Sequence, residues 1–208
     1  HPKDYPHYLL ELMAERANIC NQLHMPAQSG STSMLKRMKR GYSREAYLEL
    51  IASVREYIPD VALSSDFIAG FCGETEEEHA DTVSLMEQVR FDQAFMFAYS
   101  LREQTHAAKR LQDDVPPEIK QQRLQEIIDT FQRKVHEKNA DEVGRLRLVL
   151  VQGPSHKSPD DETWWNGKTD QNKRIHFPID NGCFEHSQVL APGPLVDPNS
   201  KVAVGDYA

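Results

Sequence analysis

The stretch HMPAQSGS, from His24 to Ser31, decides the fold because comparable polar segments recur after it. The first is LSSDFIAGFCGETEEE, from Leu63 to Glu78, and the second is FDQAFMFAYSLREQT, from Phe91 to Thr105. Apolar residues at helical spacing lie between them, and β-α-β-α-β crossovers of this length imply parallel strands. Polar loops at the carboxyl ends of such strands are where α/β folds bind ligands. The three predicted strands span residues 18–23, 61–65 and 94–99.

Composition limits the classes of protein that this chain can represent. Over 208 residues, 39% are hydrophobic and 27% are charged, which is ordinary for a globular protein. No apolar run approaches the roughly 20 residues that a membrane helix needs, so we expect no membrane association. The chain starts at His1 rather than Met and ends soon after a strand-like VAVG, so we expect a fragment whose ends carry no targeting information.

Charge and cysteine content add two further limits. The three cysteines are far apart and form no CxxC pattern, which argues against a disulfide scaffold. A net charge of −8 argues mildly against nucleic-acid binding by the chain as a whole. Residues 143–174 nevertheless carry six basic and four acidic side chains, so this segment is compatible with RNA contact.

The last third of the chain has a different pattern. Apolar residues from Leu124 to Val135 mark a long amphipathic helix of about 20 residues, and from Val143 the apolar period changes to two, which predicts a strand. We expect Gly153 and Pro154 to turn that strand and residues 164–177 to form a hairpin. Together these elements predict a small β-barrel of the OB-like type.

Three loops contain side chains suited to ligand binding. His24, Gln28 and Ser29 offer polar groups beside Gly30, which permits a close backbone approach, although the same loop could simply pack. Ser65 and Asp66 could hold a ligand hydroxyl or ammonium group, or cap a neighbouring loop. The segment Tyr99, Ser100 and Arg102 could meet a phosphate or a carboxylate, or lie on the surface. The turn over residues 70–75 could receive an anion at its N–H groups, but its acidic neighbours favour a simple strand-to-helix turn.

Taken together, these segments resemble the tRNA methylthiotransferases of the MiaB type. The resemblance covers about residues 15–177. The stretch LSSDFIAGFCGETEEEH is most similar to the eukaryotic, mitochondrial branch, which also includes proteins described as associating with a kinase-activator subunit. The resemblance therefore implies a mitochondrial protein, with the cytoplasm or nucleus as further locations. It rests on HMPAQSGS, YSREAYLELIASVREYIPD, LSSDFIAGFCGETEEE, FDQAFMFAYS, GPSHKS and GKTDQNK.

The resemblance implies an α/β fold with three parts. Residues 1–116 would form the C-terminal half of a radical S-adenosylmethionine (SAM) (β/α) barrel, residues 117–142 a connecting helix, and residues 143–208 a truncated TRAM domain, the small tRNA-binding β-barrel of this family. The implied cofactors are SAM and two 4Fe-4S clusters. Clusters need thiolates at defined spacing. All six cluster cysteines would lie upstream of His1, and none of Cys20, Cys72 or Cys183 replaces them.

Residue roles carry over by matching motif. The SAM-facing residues would be His24, Gln28, Ser29, Ser65 and Asp66. The substrate-facing residues would be Tyr99, Ser100 and Arg102. The RNA-facing residues would be Lys157, Ser158, Lys168, Asn172 and Lys173. No catalytic residue and no metal ligand is assigned. Three departures weaken the match: Cys72 stands where many members have Pro, Lys168 where TRAM usually has Arg, and Trp164-Trp165 where smaller aliphatic residues are usual.

The function implied is methylthiolation of N6-isopentenyladenosine next to the tRNA anticodon by radical SAM chemistry, with the fragment itself inactive. A first alternative is a non-catalytic module that binds RNA or a protein partner such as a kinase activator. A second alternative keeps the chemistry but acts on a ribosomal protein. The basic loops of the last third favour RNA weakly over that second alternative.

Overall fold

The computed structural model describes residue 2 and residues 5–145, 147–155 and 163–178. Helices and strands alternate along the first two thirds of the chain, and strands follow in the last third, as predicted. The elements are α1 (His7–Glu15), β1 (Gln22–His24), α2 (Thr32–Arg37), α3 (Arg44–Tyr57), β2 (Ala62–Ala69), α4 (Glu76–Val89), β3 (Gln93–Ala98), α5 (His106–Arg110), α6 (Pro117–Ala140), β4 (Val149–Pro154), β5 (Trp164–Thr169) and β6 (Arg174–Pro178).

A three-stranded sheet in the order β1-β2-β3 carries the predicted β-α-β-α-β unit. Strands β2 and β3 are parallel, in register from Ser64 opposite Gln93 to Ala69 opposite Ala98. The strand prediction for residues 61–65 was too short, because β2 continues to Ala69. Burial alternates along β2, so Ser64 and Asp66 lie on its half-open face whereas Ser65 is buried on the other, and none of them interrupts the strand. Asp66 therefore lies within the strand and not in the loop after it.

Local signals in the sequence set the helix starts. Ser43 Oγ accepts the N–H of Ala46 at 3.2 Å at the start of α3. A capping box starts α4, since Thr75 accepts the N–H of Glu78 and the Glu78 side chain accepts the N–H of Thr75. These helices bury apolar faces against the sheet, with Tyr47, Phe67 and Phe91 among the largest fully buried side chains.

Contacts along the chain define two compact units. The first comprises residues 1–6, 23–56 and 63–143, and the second comprises residues 7–22, 57–62 and 144–208. Helix α6 packs against α4 and β3, so it belongs to the first unit. The domain limits drawn from the resemblance, at residues 116 and 142, stay a prediction. No helix in the described part of the chain is long and apolar enough to cross a membrane.

The second unit contains an antiparallel sheet in the order β4-β5-β6, and its β5-β6 hairpin confirms the hairpin predicted from the sequence. The prediction for β4 was wrong in three respects. The strand starts at Val149 and not at Val143. The sequence pattern placed Leu150 on the apolar face, but Val149 is buried and Leu150 is exposed. Gly153 is not a turn: the β4-β5 register shifts between Val151 and Gly153, which makes a bulge inside the strand. The OB-like barrel and the TRAM domain stay predictions.

Candidate functional site

A cleft of about 650 Å³ opens where β2 and β3 of the first unit end. It brings together Gln28, Asp66, Tyr99, Ser100 and Arg102, five of the residues singled out from the sequence. Its other walls combine apolar and basic side chains, a mixture that suits a ligand with a flat apolar part and a charged part. These walls are Arg37, Met38, Lys39, Ile68, Phe71, Phe97, Ala98, Thr105, His106 and Ala107.

The loop after β1 reaches the cleft by pairing with β2. The backbone N–H of Gln28 donates to Asp66 O at 2.8 Å, and the N–H of Ile68 donates to Gln28 O at 3.0 Å. This parallel bridge holds Gln28 in a left-handed conformation, with φ of 67°. The bridge uses only backbone atoms. The amide side chain of Gln28 lines the cleft beside Asp66.

The two serines predicted to face the cofactor are buried inside the protein. Ser65 Oγ accepts the N–H of Ala27 at 2.9 Å, and Ser29 Oγ lies 3.2 Å from the Thr82 hydroxyl. Gly30 packs closely against the backbone of α4, because a Cβ there would lie 2.3 Å from Asp81 O, and the expected approach to a ligand stays a prediction. Both hydroxyls therefore shape the loop, and direct contact of either serine with a cofactor stays a prediction.

His24 and Asp66 form a polar pair on the open face of the sheet. His24 Nε2 lies 3.5 Å from Asp66 Oδ2, and His24 Nδ1 lies 2.9 Å from the Ser64 hydroxyl. Both side chains keep solvent access, with 46% and 31% of their surfaces exposed. The Asp66 carboxylate is thus oriented by His24 while still able to accept hydrogen bonds from a ligand.

Tyr99 forms part of the opposite wall. Its backbone N–H donates to Ala69 O at 2.8 Å, and its ring meets Phe71 edge to face with centroids 4.7 Å apart. Burial, together with a hydrogen bond to Cys72, raises the pKa of Tyr99 to about 12. The raised pKa is that of a phenol whose O–H is directed to Cys72, and its oxygen can still accept a hydrogen bond.

Sequence reasoning missed the basic residues on the cleft wall. Lys39 and Arg37 belong to a basic stretch that the sequence displays but that has no motif around it. Arg37 is already engaged, since it donates to both carboxylate oxygens of Glu78 at 2.8 and 3.0 Å and to Gly73 O at 2.9 Å. Lys39 has a left-handed backbone, with φ of 59°. Only their position at the cleft distinguishes Arg37 and Lys39 from the neighbouring basic residues of the sequence.

The turn over residues 70–75 favours the simple-turn interpretation. The N–H of Gly70 donates to Glu74 Oε2 at 2.7 Å, so the loop's own carboxylate takes the place that an anion would need. Burial raises the pKa of Glu74, while Arg123, 3.1 Å from that carboxylate, lowers it. The pair is therefore a structural support beneath the cleft.

Comparisons with known proteins identify the family. The radical SAM superfamily matches residues 5–86. The human mitochondrial tRNA methylthiotransferase CDK5RAP1 is 53% identical over 207 residues, covering 100% of this chain and 33% of the human protein. The tRNA-2-methylthio-N(6)-dimethylallyladenosine synthase of Chlorobium phaeobacteroides is 51% identical over 190 residues, covering 91% of this chain and 41% of that protein. Over nearly its whole length this chain is thus about half identical to MiaB-type tRNA methylthiotransferases.

The chain spans about a third of the length of its curated eukaryotic relatives, including the CDK5RAP1-like protein of Oryza sativa subsp. japonica, which is 56% identical over 92% of this chain. Coproporphyrinogen III oxidase (HemN) of Escherichia coli superposes with a TM-score of 0.52 at 24% identity, covering 64% of this chain and 31% of HemN. This likeness shows an α/β fold. The predicted fold class and family are therefore confirmed.

The side chains that line the cleft fit SAM better than they fit an iron–sulfur cluster. Asp66 and Gln28 present polar groups to the cleft that a nucleoside or amino-acid moiety could use. Within the described ranges no group of three or more His, Cys, Asp or Glu side chains could hold a metal ion. Cys20 is exposed and Cys72 is buried, whereas Cys183 lies outside the described residues.

The predicted RNA-binding residues divide between described and undescribed positions. Lys168 lies on β5 opposite Leu150 and Arg174, and Asn172 and Lys173 lie in the turn that leads to β6. The N–H of Asn172 donates to Thr169 O at 2.8 Å and the N–H of Lys173 to Thr169 Oγ1 at 3.2 Å. These three residues thus cluster at one end of the hairpin. Lys157 and Ser158 lie outside the described residues.

Proposed function

We propose that this chain forms the cleft-bearing part of a tRNA methylthiotransferase that converts N6-isopentenyladenosine next to the anticodon to its 2-methylthio derivative. The observation that carries the proposal is the cleft that joins the His24 loop to the end of β3. Relatives that carry the methylthiotransferase and synthase names are about half identical over nearly the whole of this chain.

The Gln28 and Asp66 side of the cleft would hold SAM. The Asp66 carboxylate accepts hydrogen bonds from a ligand hydroxyl or ammonium group, and His24 keeps that carboxylate oriented. Ser29 and Ser65 would contribute indirectly, because their buried hydrogen bonds hold the loop in place. When bound, SAM supplies the organic radical and the methyl group of the reaction.

The Tyr99, Ser100 and Arg102 side would receive the nucleotide. The phenol oxygen of Tyr99 accepts a hydrogen bond, the exposed Arg102 guanidinium pairs with a phosphate, and the ring of Phe97 offers a stacking surface. The two sides of one cleft would thereby bring cofactor and nucleotide together.

Further properties extend this proposal beyond the cleft. Two 4Fe-4S clusters would serve the enzyme, with ligands other than Cys20 and Cys72. Lys157, Ser158, Lys168, Asn172 and Lys173 would contact tRNA through a TRAM-type module. The names of the human and rodent relatives support a mitochondrial location, and a kinase-activator partner and additional cytoplasmic or nuclear pools belong to the same proposal.

The test is nucleoside analysis of tRNA by mass spectrometry. Deleting the gene should abolish 2-methylthio-N6-isopentenyladenosine and leave N6-isopentenyladenosine. The wild-type full-length protein should restore the product, whereas Asp66→Asn and Arg102→Ala should each give at least about tenfold less, because each removes one ligand contact. Asp129→Asn, on the exposed face of α6, is the matched control and should restore it fully. A deletion strain that keeps the product would show that the proposed function is wrong.

A further inference from the structure

Helix α6 carries a buried lysine that contacts Tyr99, a residue of the cleft wall. The Lys120 side chain is only 10% exposed, which is rare for lysine unless its charge is paired. Its Nζ donates to both carboxylate oxygens of Asp113, at 2.6 and 2.8 Å. The same Nζ lies 5.2 Å from the ring centroid of Tyr99, within cation–π range. Lys120 therefore contacts both the segment just before α6, at Asp113, and the segment just after β3, at Tyr99.

The backbone of the 70–75 turn is adapted to this crossing. A Cβ at Gly70 would lie 2.4 Å from Lys120 Cγ, so any larger residue would obstruct the lysine. Asp114, next to Asp113, accepts the N–H of Gly73 at 2.6 Å. The segment before α6 is thus held at two adjacent residues: Asp113 bonds to α6 and Asp114 bonds to the 70–75 turn.

That segment continues directly from the cleft wall. Thr105, His106 and Ala107 line the cleft, and Ala107 and Leu111 pack against the buried cluster of Met34, Phe71 and Cys72. The Lys120–Asp113 pair therefore holds the C-terminal end of the segment 105–113, which contains the five-residue helix α5. So short a helix is not stable by itself and depends on such attachments.

We propose that Lys120 is a positioning residue for the nucleotide side of the cleft: it holds the Tyr99 ring and, through Asp113, the wall at residues 105–111. This inference rests on the proposed function, since it assigns the nucleotide to that side. Lys120 does not line the cleft itself, so its effect on binding is transmitted through Tyr99 and the wall.

The experiment compares Lys120→Met with a matched break on the same helix, in the full-length protein. Lys138 pairs with Asp92 at 2.6 Å, as Lys120 does with Asp113, but neither Lys138 nor Asp92 lines the cleft. The probes are an anticodon stem-loop RNA containing N6-isopentenyladenosine and, for the cofactor side, S-adenosylhomocysteine. Lys120→Met should weaken RNA binding about tenfold and leave S-adenosylhomocysteine binding unchanged, and Lys120→Arg should restore RNA binding. Lys138→Met should lower Tm without this selective loss.

Two further measurements separate positioning from general stability. If Lys120 acts through Tyr99, adding Lys120→Met to Tyr99→Leu should cause little additional loss of RNA affinity. Hydrogen exchange over residues 101–115 should accelerate in Lys120→Met and in Asp113→Asn but not in Lys138→Met. Equal effects of the Lys120 and Lys138 variants on RNA affinity and exchange would overturn the inference. A wild-type protein that binds neither probe would overturn the proposed function, and the exchange data would still decide the role of Lys120.

Discussion

At the scale of single residues, Gly70 meets two requirements at once. Its φ of 73° is a left-handed value that favours glycine, and its missing Cβ leaves room for Lys120. Gly73, three residues on, has a similar φ of 67°, but a Cβ there would make only an ordinary contact with Arg37. The two glycines of this turn therefore have similar backbone conformations, but only Gly70 is packed against the Lys120 side chain.

This difference predicts unequal costs for two matched substitutions. Gly73→Ala should lower the free energy of unfolding by about 1 kcal/mol, the usual cost of forcing a side chain into this conformation. Gly70→Ala should cost a further 1–3 kcal/mol, approximately, because the lysine must also be displaced. Denaturant titration of both variants measures the difference, and equal costs would show that the lysine adapts freely.

Residue identity indicated the Gln28 and Asp66 side of the cleft better than it indicated the residues that support the opposite side. Gln28 and Asp66 stand in motifs whose polar groups follow or interrupt apolar runs, so their position at a strand edge could be predicted. Lys120 could not be found in this way, because in the sequence it is one polar residue among many on an amphipathic helix. Its contacts with Asp113 and Tyr99 lie outside that helix and follow no sequence motif. Its burial is created by tertiary packing alone.

At the scale of elements, the start of α4 shows how one side chain serves local and distant structure. Glu78 completes the capping box, which is local and therefore visible in the sequence. The same carboxylate also accepts hydrogen bonds from Ser33 at 2.5 Å and from Arg37, which no sequence pattern indicated. Helix α4 is thus joined to α2 through a single acidic residue.

The state of Glu78 gives a pH-dependent prediction. Burial alone would raise its pKa, but hydrogen bonds from Arg37, Ser33 and Thr75 prevail and hold the pKa below the ordinary 4.5. An acid with a depressed pKa stabilises the fold above its unfolded-state value, and that stabilisation is lost as pH falls through the folded-state value. Glu78→Gln should therefore cost on the order of 1–3 kcal/mol at pH 7, and the gap from wild type should narrow below about pH 4.5.

The matched control for this prediction lies in the same helical turn. Glu77 is fully exposed and has no ion pair among the described residues, so Glu77→Gln removes one charge from the helix start without breaking the link to Arg37. Urea titrations at pH 7 and pH 4 compare the two variants with wild type. A Glu78→Gln gap that is the same at both pH values would contradict the assignment.

At the scale of the whole molecule, charge is distributed unevenly between acidic and basic parts. The chain as a whole carries a net charge of −8, yet the segment from residue 143 to 174 has more basic than acidic side chains.

Changes in the apolar period predicted the β-rich last third, and the β5-β6 hairpin confirmed it. The assignment of residues to compact units was not predictable, because the second unit also recruits residues 7–22 and 57–62 from earlier in the chain. Arg147, for example, pairs with Asp60 at 3.0 Å.

The cluster at the β5-β6 hairpin gives the final prediction. If Lys168 and Lys173 contact tRNA phosphates, Lys168→Ala and Lys173→Ala in the full-length protein should weaken binding equally for all RNA sequences. The slope of log affinity against log salt should also fall by about one unit for each lysine replaced, because fewer counterions are released. Lys134→Ala is the control, since Lys134 lies on α6 and pairs with Glu137 at 2.9 Å. Filter-binding titrations at several salt concentrations distinguish these outcomes, and a double variant with unchanged affinity and slope would assign both lysines to the solvated surface instead.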